Sequence, residues 1–310
     1  MTEEMTMTLA SRSRRAAIAL AAVTTMTIAH EARADRPNQL TVAIFAPSVE
    51  LSTGGLLSLV NELASAIEAK TGIKTTGKAY SSYADLAAAH PDFAVIDPFC
   101  LAAHPPGRVL ATARIDGDTS RRWGLFAARK IAVSDLSGKA VAYARTGCRD
   151  TDFIEHGVFL GLLRFGDFFS GGVAQSDING AVVATRDVHK ADAVVAPAGV
   201  ASGLELILPV DSVPNPGFVV VSKTLDASIA DQARGAISGV GGGPIEGWGG
   251  AVAYGGLTGR MATAKKRMIF ASPERAQVAE ADVVRLAPPK MASSWDASML
   301  WQPPKDRGRR

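Results

Sequence analysis

The feature that most constrains the fold of this 310-residue chain is a repeated alternation of short apolar runs with stretches of helical periodicity. The first apolar runs, which we interpret as strands, are residues 40–45, 73–79, 93–97 and 109–115. Between the first two runs, Leu56, Val60, Leu63 and Ile67 recur at the spacing of one helix face, and Gly72 is suited to end that helix. Strands alternating with helices through short connections predict a mostly parallel sheet covered by helices.

A second series of the same kind follows. Its predicted strands are residues 140–144, 173–175 and 191–195. A helix is predicted over residues 151–165, with Ile154, Val158 and Leu162 on one face. Extended segments at 123–128 and 218–221 lie between the two series. The pattern therefore predicts two α/β units joined by two extended segments.

The N-terminal residues have the organisation of an export signal. Arg12, Arg14 and Arg15 precede an uncharged run over residues 16–29, and Ala32 and Ala34 are the small residues that a signal peptidase reads. We expect residues 1–34 to be a signal peptide that is cleaved after Ala34, which predicts a periplasmic protein. The competing interpretation is a disordered or helical N-terminus.

Composition excludes several classes of function. With 33 Lys and Arg against 30 Asp and Glu, the formal net charge is only +3, so no polycationic surface for nucleic acid is expected. Outside the signal no apolar run is long enough to span a bilayer, so no stable membrane insertion is expected. Residues 72–79 resemble a phosphate-binding loop but end in Ala79 where Ser or Thr is needed, and no cofactor is expected. The glycine-rich residues 239–259 are interpreted as a loop, and residues 288–310, with Trp295 and Trp301, as a tail.

Five segments in a shared order carry a resemblance to a known family. They are residues 80–86, 92–98, 134–143, 191–195 and 213–216, of which the turn Ser-Asp-Leu-Ser-Gly-Lys at 134–139 is the most specific. Together they resemble the phosphate/phosphite/phosphonate-type substrate-binding proteins of ABC transporters. The resemblance implies a two-lobed periplasmic binding protein fold of mostly parallel sheets, with lobe one at 35–122 plus 215–287 and lobe two at 123–214. It also implies two hinge strands, a small-molecule ligand, an ABC transporter permease as partner, and a monomer.

The same resemblance supplies the candidate ligand-binding residues. They are Ser81, Ser82, Tyr83, Asp97, Phe99, Cys100, Cys148, Arg149, Asp150, Thr151 and Asp177. For Ser81, Ser82 and Thr151 the alternative is ordinary helix capping, and for Tyr83 it is packing in the core.

The lobe-two residues depart from the family pattern. Residues 148–151 read Cys-Arg-Asp-Thr where the family has a Ser-Thr-Ser-Gly turn that cradles a phosphonate, and Asp177 stands at a family histidine. Asp150 and Asp177 would repel an oxyanion, whereas Arg149 would attract one. The ligand therefore stays open between a phosphonate, a zwitterion, a cation and a neutral polar molecule.

Two alternative functions stay open, a ligand-sensing module for a membrane sensor and an exported enzyme. The enzyme would need Cys100 or Cys148 as a nucleophile with a low pKa. Because the two cysteines are assigned to opposite lobes, a bond between them would lock the closing movement. We therefore expect free thiols.

Overall fold

The structure is a computed structural model that describes residues 37–105 and 107–262. The described residues belong to the first of two compact units, Met1–Ile269. The predicted signal peptide at 1–34 and the predicted tail at 288–310 both lie outside the described residues. Within the described part, no helix combines the length and the apolar character needed to cross a membrane.

Strands and helices alternate along most of the described chain. The strands are β1 (Gln39–Phe45), β2 (Lys74–Ala79), β3 (Phe93–Ile96), β4 (Arg108–Arg114), β5 (Ser120–Ala127), β6 (Ala140–Ala144), β7 (Gly171–Gln175), β8 (Ala193–Pro197), β9 (Glu205–Pro214), β10 (Gly217–Val220) and β11 (Gly247–Gly250). The helices are α1 (Thr53–Thr71), α2 (Tyr83–Ala89), α3 (Pro98–Ala103), α4 (Asp150–Asp152), α5 (Phe165–Phe168), α6 (Ile178–Arg186), α7 (Ala227–Ile237) and α8 (Gly255–Ala262).

The strands of the described residues form two sheets, which define two lobes. The sheet of lobe one has the order β11-β4-β10-β3-β1-β2, and that of lobe two has the order β7-β6-β8-β5-β9. In each sheet the strand that enters from the other lobe runs antiparallel to both neighbours: β10 to β3 and β4, and β5 to β8 and β9. Most of the other strands share one direction, as the alternation predicts.

Within the described residues the chain crosses between the two sheets twice, at residues 115–119 and at residues 215–216, and after β11 it returns to lobe two as α8. The segments 123–128 and 218–221, which the sequence placed between the units, instead lie mostly inside β5 and β10. Both strands are central in their sheets because their side chains are apolar on both faces: the adjacent Leu125 and Phe126 are buried in one lobe, and the adjacent Phe218 and Val219 in the other.

Local sequence signals explain the first helix well. Ser52 is its N-cap and accepts a hydrogen bond from the Gly55 N–H at 3.1 Å. Gly72 ends it in the left-handed conformation, with φ of 69°, and its N–H donates to the carbonyl of Glu68. Val60 and Leu63 lie on its buried face, so α1 packs against the sheet of lobe one as predicted.

The helix predicted over residues 151–165 is wrong. The chain forms α4, a π-helical segment at Phe153–Val158 and α5, with a break between the last two. Leu160 and Gly161 have positive φ values of 54° and 73° there, and Leu162 is 53% exposed. Ile154 and Val158 are buried as the spacing predicts, but Phe159 and Phe169 are buried in place of Leu162, so aromatic packing overrides the helical spacing beyond Val158.

The interpretation of residues 239–259 as a loop is also incomplete. These residues contain β11, at one edge of the lobe-one sheet, and the start of α8. Glycine suits this strand because a Cβ on Gly249 would meet Cγ2 of Thr119 at 2.7 Å. Trp248 and Tyr254 are buried and anchor the segment.

Candidate ligand-binding site

The ends of strands β1, β3 and β6 face one another across the space between the lobes. The loop after β1 reaches lobe two, where the Ile178 N–H at the start of α6 donates to the carbonyl of Pro47 at 2.9 Å. The residues after β3 and after β6 are joined by a disulfide bond between Cys100 and Cys148. The loops at the carboxyl ends of these strands therefore form one candidate site.

The disulfide overturns the expectation of free thiols. The Cα atoms of Cys100 and Cys148 are 4.9 Å apart, and both residues are fully buried. The lobes meet so closely that Cys148, from lobe two, packs in a cluster with Phe45 and Leu101 of lobe one. The cysteines do come from opposite lobes, as expected, but the lobes are joined there. While bonded, neither sulfur is a thiolate nucleophile.

Helix α8 also spans the two lobes. The Thr258 hydroxyl donates to the carbonyl of Ala102 in lobe one at 2.9 Å, and Nη2 of Arg260 donates to the carbonyl of Ser212 in lobe two at 3.0 Å. Leu257 and Met261 are buried in the core of lobe two. Lobe closure is therefore held by packing as well as by the disulfide.

Asp97 is the most deeply buried candidate residue. It is the N-cap of α3, and its carboxylate accepts hydrogen bonds from the N–H groups of Phe99 at 3.1 Å and Ser48 at 3.0 Å. Burial, with a smaller contribution from the charge of Asp150, raises the pKa of Asp97 to about 6, although the hydrogen bonds from Ser48 and Phe99 act in the opposite direction. Asp97 therefore positions the loop after β1 against α3 and adds negative charge at the site.

The raised pKa of Asp97 predicts an unusual dependence of stability on pH. The folded-state pKa is about 6 and the ordinary value is 3.8, so the folded chain holds this proton more tightly than the unfolded chain does. The contribution of protonated Asp97 to the free energy of unfolding is fully present below about pH 4. It is lost as the pH rises through about 6, by up to about 3 kcal/mol. Urea unfolding of wild type and Asp97→Asn across this range measures it. The difference in stability between the two proteins should change with pH, and a constant difference would contradict the assignment.

A group of aromatic rings lies where Phe99 of lobe one meets lobe two. The ring of Phe99, from lobe one, lies 5.2 Å from that of Trp123 and 4.4 Å from that of Phe153, measured between centroids. A cavity of about 20 Å³ remains beside them, and Tyr143 and Asp150 also line it. This volume holds about one water molecule, so the lobes are closed in this structure.

Asp150 folds back onto the turn that follows β6. Its carboxylate accepts hydrogen bonds from the N–H groups of Thr146 at 3.2 Å and Gly147 at 3.1 Å, and from the Thr146 hydroxyl. The donors of this turn are thus occupied by a carboxylate of the same chain.

The structure places the serine–tyrosine segment of lobe one away from this cavity. Ser81 is exposed, and Ser82 is the N-cap of α2, where its hydroxyl accepts from the Asp85 N–H at 3.1 Å. The Tyr83 hydroxyl donates to the carbonyl of His104 at 3.1 Å, and burial raises the pKa of Tyr83. None of the three lines the cavity as the described residues define it, so the capping alternative applies to Ser82.

The other lobe-two candidates also have structural partners. Arg149 is 45% exposed and pairs with Asp152 at the surface. Asp177 is the N-cap of α6 and accepts from the Gly180 N–H at 2.8 Å. Thr151 lies in α4, one residue beyond Asp150, and is half-buried. Of the predicted residues, only Phe99 and Asp150 line the cavity.

Comparison with known proteins was informative at the level of structure only. No protein-family model matches the chain, and no curated protein matches it. Among solved structures, a binding protein component of an ABC phosphonate transporter from Pseudomonas aeruginosa has 12% sequence identity and a TM-score of 0.57, over 80% of this chain and 95% of that one. PhnD1 from Prochlorococcus marinus, in complex with methylphosphonate, has 10% identity and a TM-score of 0.56, over 74% of this chain and 100% of that one.

A third similar structure is a Xanthomonas citri protein bound to ATP, with 11% identity and a TM-score of 0.54, over 74% of this chain and 98% of that one. The two sheets, the two crossings and these nearly complete overlaps decide the fold. The chain has the two-lobed periplasmic binding protein fold. This confirms the fold class that the sequence predicted. Because these proteins share so little sequence with the chain, their ligands are not assigned to it. The ligand is inferred from the residues of the site itself.

Within this periplasmic binding protein fold, the sequence missed most of the residues that line the interlobe cavity. Trp123, Tyr143 and Phe153 were interpreted as parts of strands and of a helix. The one sequence signal that placed Tyr143 and Phe153 near the site was that they flank the turn that carries Asp150. An aromatic residue in a strand has the same local pattern whether it faces a core or a cleft.

Proposed function

We propose that this protein is an exported solute-binding protein that encloses a small polar ligand between its lobes and delivers it to an ABC transporter permease. The observation that carries the proposal is the closed interlobe cavity, which lies between Phe99 of lobe one and residues of lobe two, in a fold whose two sheets are connected by two crossings. The free energy of ligand binding can then stabilise the closed arrangement of the lobes over an open one. The similar structures from P. aeruginosa and P. marinus, described as a transporter component and a methylphosphonate complex, support this role.

Binding suits the cavity better than catalysis does. Among the described residues that line it there is no serine, histidine or free thiol, and the lining side chains that carry polar groups are Asp150, Tyr143 and Trp123. Asp150 is held by donors of its own turn, so it has no partner nucleophile to activate. Delivery to a permease also requires export, which agrees with the signal predicted at 1–34.

A thermal-shift panel tests the proposal on the chain without residues 1–34. A ligand that binds only the folded form raises the melting temperature by mass action. We expect one chemical class among phosphonates, sulfonates, amines and quaternary ammonium compounds to do so. Phe99→Leu should lower the affinity for that ligand, because Phe99 lines the cavity. Phe169→Leu, at a ring buried elsewhere in the lobe-two core, should leave the affinity unchanged. Absence of any shift, before and after reduction of the disulfide, would count against a solute-binding role.

A further inference from the structure

The charges and rings around the cavity bear on the ligand class. We propose that the interlobe site accepts a small organic cation and rejects oxyanions, and that Asp150 sets this preference. The inference rests on the proposed solute-binding function and concerns the same site.

The first argument is that the anion-binding groups of lobe two are already used. An oxyanion at the end of β6 would need the backbone N–H groups of the turn after this strand. Those of Thr146 and Gly147 both donate to Asp150. An entering oxyanion would have to displace this carboxylate and then lie beside its negative charge, which is unfavourable in a site with little water.

The second argument is the balance of charge at the cavity. Asp150 lines it, and Asp97, which is fully buried, is close enough for Asp150 to raise its pKa. No Lys, Arg or His is found among the described residues that line the cavity. Arg149 is at the surface with Asp152, and the buried Arg121 donates to groups of the crossings and of the loop after β1.

The third argument is the chemistry of the walls. Four rings, those of Phe99, Trp123, Tyr143 and Phe153, line the cavity together with the Asp150 carboxylate. Aromatic faces attract cations, most strongly when both are removed from water, and recognise quaternary ammonium groups in particular. A carboxylate beside several rings therefore favours an ammonium ligand over a neutral one of the same shape.

The ligand must enter through a more open arrangement of the lobes, because the closed cavity holds about one water molecule. In the closed state, Oε2 of Glu50, in the loop after β1, is buried and has no hydrogen-bond partner among the described residues. Buried polar atoms normally have partners, so a more open state that admits water or a polar ligand would satisfy this oxygen.

Matched probes test the preference by calorimetry, with the disulfide both intact and reduced. Choline is the cation, 3,3-dimethylbutanol its neutral counterpart of the same shape, and methylphosphonate the oxyanion. We expect choline to bind at least tenfold more tightly than the alcohol and methylphosphonate not to bind. Asp150→Asn should lower the affinity for choline about tenfold. Asp152→Asn, in the same short helix α4 but paired with Arg149 at the surface, should change that affinity less than twofold.

Asp150 also accepts the hydrogen bonds that hold the turn after β6, so Asp150→Asn changes the structure of the turn as well as its charge. A second variant that leaves these hydrogen bonds in place separates the two effects. Tyr143→Leu leaves the turn intact and should lower the affinity for choline more than the affinity for the neutral alcohol. Tight methylphosphonate binding to wild type that is sensitive to Phe99→Leu would overturn the cation preference and leave the solute-binding function standing. Equal affinity for choline and the alcohol would overturn it as well. Failure of every ligand class would overturn the proposed function itself.

Discussion

Replacement of both cysteines by alanine should lower the free energy of unfolding by about 4 kcal/mol, the largest loss that we expect from a change at the site. The disulfide joins residues that are 48 positions apart, and a cross-link over a loop of this length restricts the unfolded chain by about that amount. Urea unfolding of oxidised wild type and of Cys100→Ala/Cys148→Ala measures the difference. Oxidised and reduced wild type provide the matched comparison, because reduction breaks the bond and keeps both sulfur atoms in the core.

The same bond should also control how far the lobes separate. The Ile178 N–H donates across the gap to Pro47, so exchange of its hydrogen with solvent reports on opening. We expect this exchange to be at least tenfold faster in the double alanine variant and in reduced wild type. The N–H of Val60, in the middle of α1, is the internal control and should change only as global stability changes. Equal exchange at Ile178 with and without the bond would show that packing of α8 and of the aromatic rings is sufficient to hold the lobes closed.

Ligand exchange should follow lobe opening. A ligand larger than one water molecule cannot enter the closed cavity, so the association rate in the oxidised chain is limited by whatever separation the disulfide permits. Both sulfur atoms are fully buried, which slows attack by an external thiol. The bond is thus a lasting constraint on the amplitude of opening while the fold is intact.

Sequence predicted the elements that local signals determine. Gly72, which was predicted to end α1, does so in the left-handed conformation, and the apolar run at residues 140–144 is β6 without change. The strand predicted over residues 93–97 is β3, which ends one residue earlier, because Asp97 is the N-cap of α3. These positions depend on neighbours within a few residues, which a single sequence records directly.

The errors lie where distant residues decide the outcome. The helical spacing that predicted one helix over 151–165 did not predict the break after Val158, where Phe159 packs against Phe168 and Phe169, nine and ten residues further along the chain. The cysteines were assigned to the correct lobes, but the distance between lobes is not encoded in local periodicity. Asp150 was predicted to repel an oxyanion, whereas its hydrogen bonds to its own turn depend on backbone geometry that only the structure shows.

The crossings between the lobes depend on a buried arginine. Arg121, at the start of β5, donates from Nε to Oδ1 of Asn215 at 3.1 Å, from Nη2 to the carbonyl of Ser48 at 3.0 Å, and from Nη1 to Glu50. Asn215 in turn donates to the carbonyls of Ala113 at 3.1 Å and Asp118 at 2.9 Å. One network therefore joins both crossings to the loop after β1.

Arg121→Met should lower the free energy of unfolding by about 3–5 kcal/mol, because it removes the buried partner of a largely buried ion pair and leaves the Glu50 carboxylate without a counter-charge. Arg122→Met is the matched control, since Arg122 is exposed on the same strand, and its effect should stay within about 0.5 kcal/mol. Adding Glu50→Gln to Arg121→Met should recover part of the loss by removing the uncompensated charge. A double-mutant cycle from urea unfolding gives this coupling energy directly. If Glu50→Gln recovers nothing, the loss comes from the bonds to Asn215 and Ser48, and the crossings are held by hydrogen bonds alone.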